Sequence, residues 1–155
     1  MAFALRAEGL WKLYESGESV IQAVQDVSLS IEQGSMVAIM GPSGCGKTTL
    51  LNVLSGIDEP NSGTVLINGE NLYGSSDDER TRVRGKHMGF IFQEFNLLPV
   101  MTALENVELP LLIQGKPANE VRKEAKKALT AVGLGDRLEH RPAELSGGQQ
   151  QRVAI

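Results

Sequence analysis

The chain has 155 residues, enough for one domain that buries its apolar side chains without disulfide help. Its 15 basic and 19 acidic residues leave a formal net charge of -4, so no global positive field marks a nucleic-acid binder. Cys45 is the only cysteine, which excludes an intrachain disulfide and fits a reducing cytosol; no apolar run approaches the roughly 18 residues of a membrane helix, and the start "MAFALRAEGLWK" is too short and acidic for a signal peptide.

In chain order, the first third has β character. "FALRAEGLWKLY" and "SVIQAVQDVSLSIEQG" alternate apolar with polar residues, with Val20, Val24, Val27, Leu29 and Ile31 as candidates for buried faces. "SMVAIM" is a short continuous apolar run, the pattern of a parallel strand covered on both faces. After a glycine-rich turn, "KTTLLNVLSG" predicts a helix carrying Leu50, Leu51, Val53 and Leu54, closed by Gly56. "SGTVLING" reads as a strand ending in a turn, "YGSSDDER" as a polar loop entering a short helix near Asp77, and "MGFIFQ" as a further buried strand. From Asn96 the pattern becomes helical. "TALENVELPLLIQG" and "KPANEVRKEAKKALTAVG" are two helices, the second with Pro117 near its first turn, Gly133 past its end, and Val121, Ala125, Ala128, Leu129 and Val132 on one side. Glu120 with Lys123 and Glu124 with Lys127 are spaced to pair on its solvent face, and both histidines, His87 and His140, read as surface residues.

Gly41, Pro42, Ser43, Gly44, Cys45, Gly46, Lys47 and Thr48 fit G-x-x-x-x-G-K-[ST] between a predicted buried strand and an amphipathic helix. Such a loop lets successive backbone N–H groups curl around an anion at the positive end of a helix. Lys47 is placed to reach the β and γ phosphates and Thr48 to offer a hydroxyl to Mg²⁺, with Thr49 in the same first turn. The loop alone leaves small GTPases, kinases, recombinases, helicases and transport ATPases open. No [NT]-K-x-D guanine-reading tetrad occurs in the chain.

Leu145, Ser146, Gly147, Gly148 and Gln149 spell LSGGQ near the C-terminal end, followed by "QQRVAI". Together with the glycine-rich loop this resembles the ATP-binding cassette (ABC) family, from about residue 3 to the last residue. The earlier "LSG" at Leu54, Ser55 and Gly56 lacks the second glycine and the glutamine and marks a helix end. The wording "FQEFNLLPVMTALENVELPLLIQG" is most similar to cassettes of lipoprotein-release and macrolide-export systems.

The resemblance implies a P-loop α/β (RecA-like) core with an antiparallel β lobe over about residues 1–94 and a helical lobe carrying the signature over about 95–155. It implies ATP and Mg²⁺ as ligands, an ATPase driving transport, and a place on the cytoplasmic face of the membrane beside a permease. Tyr14 falls at the family's adenine-stacking position, where an aromatic face gives base affinity with little hydrogen-bond selectivity. Gln93 falls at its Q-loop, implied to touch Mg²⁺ or the attacking water and to sense the permease; Lys47 and Gln93 are thus the residues implied in catalysis. Phe95, Leu97, Leu98 and Met101 are candidates to line the permease's docking groove. The signature is implied to act in trans, two identical cassettes pairing head to tail across a two-fold axis, with no nucleic-acid partner. The family's catalytic glutamate, the aspartate ending an apolar strand, and the switch histidine all follow the signature. Asp136, His87 and His140 precede it and do not take those roles, so the reading expects a cassette interrupted after its signature, C-terminally incomplete, without its general base. Two other classes stay open: a regulatory module that binds nucleotide without hydrolysis, and a cassette acting on DNA or ribosomes.

Overall fold

A computed structural model describes residues 3–17, 19–74 and 76–155; Ser75, within the predicted loop "YGSSDDER", lies outside them. The chain divides into two compact units, one ending at Gly89 and one running from Phe90 to Ile155.

The first unit is built on an antiparallel sheet. Strand β1 (Phe3–Ser16) pairs with β2 (Ser19–Glu32) along its whole length, from Phe3 opposite Glu32 to Tyr14 opposite Ile21. Irregularities around Leu10 bend this pair, and the Gly9 N–H donates there to the Ser28 hydroxyl at 2.9 Å. The other edge of β1 takes β3 (Ser62–Ile67), and β4 (Glu70–Asn71) returns on β3, giving the order β2-β1-β3-β4. The β3–β4 reversal is Asn68–Gly69, with φ of 49° and 84°; two left-handed residues in succession make the tight hairpin turn that favours Asn-Gly.

Helix α1 (Lys47–Leu54) covers this sheet, and α2 (Asp77–His87) starts where the Ser76 hydroxyl accepts the Glu79 N–H. Ala7, Leu10, Val24, Val65 and Ile67 of the sheet, Val53 and Leu54 of α1, Leu72, and Val83 of α2 form one buried core. Gly56 ends α1 as expected. At φ 73° it donates to Val53 O while Ile57 N–H reaches back to Asn52 O, the paired bonds of a Schellman cap.

Two expectations fail. "SMVAIM" and "MGFIFQ" form neither strands nor buried segments: Met36 is fully exposed, Val37, Met40, Phe90, Ile91 and Phe92 are exposed, and in the first stretch only Ile39 packs on the core. A strand needs a neighbour's N–H and C=O groups as well as apolar side chains. Among the described residues no segment forms a ladder with either stretch. Of the candidates for buried faces of β2, Val20 is exposed, Val27, Leu29 and Ile31 are half-buried, and only Val24 is fully buried.

The second unit is helical. Helix α3 (Ala103–Ile113) opens on a reciprocal capping box between Thr102 and Glu105, and Asn106 stitches the preceding loop onto it, accepting Leu98 N–H at 2.7 Å and donating to Thr102 O at 2.9 Å. Helix α4 (Ala118–Ala131) buries Val121, Ala125 and Leu129, one residue per turn, while Ala128 is exposed. Glu124 pairs at 2.7 Å with Lys116, before the helix, in place of Lys127. A 3₁₀ turn at Pro142–Glu144 leads into α5 (Gly147–Ala154). Ala103, Leu104, Ala125, Leu129, Leu134, Leu145 and Val153 form this unit's core.

Neither histidine is a free surface residue. His87 is bracketed by Asn68 Nδ2 at 3.0 Å and Glu70 Oε1 at 3.1 Å, and His140 is half-buried with its carbonyl accepting Ala103 N–H at 2.7 Å.

Candidate functional site

The glycine-rich loop enters α1 through two left-handed glycines, Gly44 at φ 80° and Gly46 at φ 88°. Only glycine takes these angles without cost, and here they bring the chain over the start of the helix. Cys45 N–H donates to Pro42 O at 3.4 Å, and Leu50 N–H closes the first helical bond on Gly46 O at 2.8 Å. Gly46 is the N-cap and carries no side chain, so the first-turn N–H groups of α1 have no side-chain acceptor.

Lys47 folds back over this loop. Its ammonium donates to Gly41 O at 2.9 Å and Pro42 O at 2.7 Å, and stands 3.7 Å from the Cys45 sulfur. Gly41, Pro42, Ser43, Gly44, Cys45 and Thr48 are exposed, and Thr49 is half-buried. A cavity of about 310 Å³ opens between this loop and β2, lined by Val24, Ile39, Cys45, Lys47 and Leu50 among others.

Tyr14 projects from β1, the residue 37% exposed and its hydroxyl donating to Asp58 Oδ2 at 2.6 Å. The Asp58 carboxylate and burial hold the Tyr14 phenol above its ordinary value, with the Thr49 hydroxyl acting in the opposite sense. Tyr14 and the loop lie within the same unit. Burial opposes the charge on Asp58, but hydrogen bonds from Lys12 and Tyr14 outweigh it and keep the carboxyl below its ordinary range. Lys12 donates to Asp58 Oδ1 at 2.7 Å and to Glu59 O at 2.7 Å. The Tyr73 hydroxyl lies between the carbonyl oxygens of Val53 and Asp58, its pKa pushed up to about 12, chiefly by burial. These partners tie the turn after α1 to β1.

Asp58 and Lys12 are the residues that sequence reasoning missed. Forty-six residues separate them, and neither periodicity nor motif spacing reports a contact of that range.

In the second unit, Leu145 is buried while Ser146, Gly147 and Gly148 are exposed at the start of α5. A β-carbon on either glycine would meet open space. Ser146 and Gln149 form a capping box: the serine hydroxyl accepts Gln149 N–H at 3.3 Å, and the glutamine side chain accepts Ser146 N–H at 2.8 Å. The S-x-x-Q spacing announces this box in the sequence. Gln93 is exposed on a turn. An apolar cavity of about 430 Å³ is lined by Phe95, Leu97 and Leu98, with Leu129, Val132 and Ile155; Met101 is not among its walls.

Comparison with known proteins places these features in context. A family model described as ABC transporter matches residues 24–155. An uncharacterized ABC transporter ATP-binding protein of Thermotoga maritima is 53% identical over 146 residues, covering 94% of this chain and 62% of that protein. One of Methanocaldococcus jannaschii is 52% identical, covering 97% of this chain and 67% of that protein. The macrolide export ATP-binding/permease protein MacB 1 of Yersinia pestis is 46% identical over all 155 residues, which correspond to 24% of its length. Among solved structures, a dimeric post-hydrolysis state of the ATP-binding cassette MJ0796 bound to ADP and Pi superposes with a TM-score of 0.88 at 44% identity, covering 97% of this chain and 66% of that one. The chain thus spans about two thirds of its shorter relatives.

Proposed function

The chain belongs to the ABC transporter family, and on that premise we propose that its first unit binds ATP·Mg²⁺, with the loop Gly41–Thr49 around the phosphates and the Tyr14 ring against the adenine. The observation that carries this reading is the N-terminus of α1, an end with no side-chain cap, entered through a glycine loop and overhung by a lysine whose partners among the described residues are loop carbonyls and a sulfur. Its donors fit a phosphate chain, because backbone N–H groups and the helix dipole both favour an anion there. Lys47 needs only to exchange two carbonyl oxygens for phosphate oxygens, a stronger charge-assisted pairing.

The Thr48 hydroxyl, exposed in the first turn, is a hard oxygen donor of the kind Mg²⁺ takes alongside phosphate oxygens. When bound, the ion neutralises charge on the phosphates. Gln93 offers an exposed amide able to donate or accept as the phosphate state changes.

The signature serves a second copy of the cassette in this reading. Leu145 anchors the segment in its core while Ser146, Gly147 and Gly148 stay exposed, and the Ser146 hydroxyl keeps a proton to donate outward after accepting Gln149 N–H. Two such cassettes related by a two-fold axis would each complete the other's phosphate site. In the whole protein this closure and ATP hydrolysis would drive a membrane permease from the cytoplasmic face, coupled to substrate export or extraction. The described residues contain no helix long and apolar enough to cross a membrane.

Equilibrium binding of ATP·Mg²⁺ to the chain and to Lys47→Ala tests the phosphate assignment. Loss of the ammonium should weaken binding at least tenfold, as expected for one charge-assisted phosphate contact. Equal affinity of the two would overturn it.

A further inference from the structure

The turn that follows α1 holds one side chain that joins the proposed base platform to the phosphate helix. We propose that Asp58 is a positioning residue for nucleotide binding: it fixes the Tyr14 ring in the orientation a base can stack on, with Lys12 as its counter-ion. The inference rests on the reading of Tyr14 as the base platform and specifies what holds that platform in place.

The geometry is a closed three-residue set. Asp58 Oδ2 accepts the Tyr14 hydroxyl at 2.6 Å, and Oδ1 accepts the Lys12 ammonium at 2.7 Å, so each carboxylate oxygen is committed to one partner. Lys12 lies two residues before Tyr14 on β1, which puts both on the same face of the strand. Its Nζ stands over the Tyr14 ring at 5.0 Å from the centroid, so one ring face carries the cation and a stacked base would take the other. Lys12 is well covered, with 13% of its side chain exposed, and Asp58 is 29% exposed. The set is therefore partly shielded from solvent screening.

Asp58 is itself held at the end of α1. Its N–H donates to Asn52 O at 3.2 Å within the helix cap, and its carbonyl accepts the Tyr73 hydroxyl at 2.6 Å. The orientation of Tyr14 is thereby referred to the same helix whose first turn would receive the phosphates. An exposed tyrosine without such a tie samples several rotamers, and ordering it on binding subtracts from affinity. A tyrosine already tied does not carry that cost.

The test compares ATP·Mg²⁺ with inorganic tripolyphosphate·Mg²⁺, a probe with phosphates and no base, by equilibrium titration of the chain. Asp58→Ala and the milder Tyr14→Phe, which keeps the ring and removes only the hydroxyl, should each weaken ATP about three- to tenfold and leave tripolyphosphate unchanged. Tyr14→Ala should weaken ATP at least as much, and adding Asp58→Ala to it should change nothing further, since no ring remains to position. If Asp58→Ala weakens both probes equally, the residue only supports the fold and the proposal is overturned. If Asp58→Ala and Tyr14→Phe bind ATP normally while Tyr14→Ala does not, the ring stacks without needing the tie, which overturns the proposal and spares the base-platform reading. Normal ATP binding by Tyr14→Ala overturns both.

Discussion

Gly46 faces the carbonyl oxygen of Ala23 so closely that a β-carbon on residue 46 would lie 2.1 Å from it. This approach seats the glycine-rich loop on β2 and joins the start of α1 to the sheet. Gly46→Ala meets two penalties at once. The φ of 88° is costly for any residue with a side chain, about 1–3 kcal/mol, and the contact with Ala23 has no flexible partner to yield. The expected loss exceeds about 3 kcal/mol in urea denaturation, with nucleotide binding lost as the loop shifts. Gly44→Ala is the internal comparison, because its φ of 80° is similar and its β-carbon would meet open space. It should cost only the torsional part, about 1–3 kcal/mol, and less than Gly46→Ala. Equal losses at the two positions would show that the Ala23 contact does not set the loop.

Glu70 gives the fold a dependence on acid. Its Oε1 accepts Lys86 Nζ at 2.7 Å and stands 3.1 Å from His87 Nε2, while Oε2 accepts Arg82 Nη2 at 2.7 Å. Lys86 first, then His87 and Arg82, hold the carboxyl down at about 2, below its ordinary 4.5. A depressed folded-state value means the unfolded chain takes up the proton first. The stabilisation is complete above about 4.5 and is lost as the pH falls toward about 2. The melting temperature should therefore drop across that window, and Glu70→Gln should lie below wild type at neutral pH and converge with it at the acid end. Parallel profiles for the two proteins would remove Glu70 as a source of the acid sensitivity.

Features that depend on a few adjacent residues were legible. Gly56 after an apolar helix predicts the cap that forms, Asn68–Gly69 sits in the turn that ends "SGTVLING", and the glycine loop lies directly before α1. Each is fixed by local torsions and bonds a few residues apart. Met36–Met40 and Phe90–Phe92 were misread because apolar character reports a preference for burial and says nothing of which backbone will supply the ladder. His87 stays partly exposed, but its pairing with Asn68 and Glu70 across a helix–hairpin contact has no local signal. In the candidate site, motif spacing picks out the loop before α1 and the exposed start of α5, whereas the Lys12–Asp58–Tyr14 set depends on tertiary approach and left no local trace.

Cys45 offers a chemical probe of the loop that does not depend on turnover. Its thiol is exposed, lies 3.7 Å from Lys47 Nζ, and comes so near Gly41 that a β-carbon there would be 2.7 Å from the sulfur. A phosphate chain held by the loop and by Lys47 would therefore stand next to the sulfur and obstruct a reagent. Maleimide labelling, followed by mass spectrometry, should slow at least tenfold at saturating ATP·Mg²⁺, in keeping with the occupied fraction. Inorganic tripolyphosphate should protect as well, because the obstruction comes from the phosphates. In the reverse direction, the labelled chain should no longer bind ATP, since the adduct fills the space next to Lys47. Cys45→Ser, which removes the thiol and keeps a small side chain, should bind ATP as wild type and take up no label, Cys45 being the only cysteine. A labelling rate indifferent to saturating ATP would mean that the phosphates do not lie along this loop, and the assignment of Gly41–Thr49 as their cradle would fail with it.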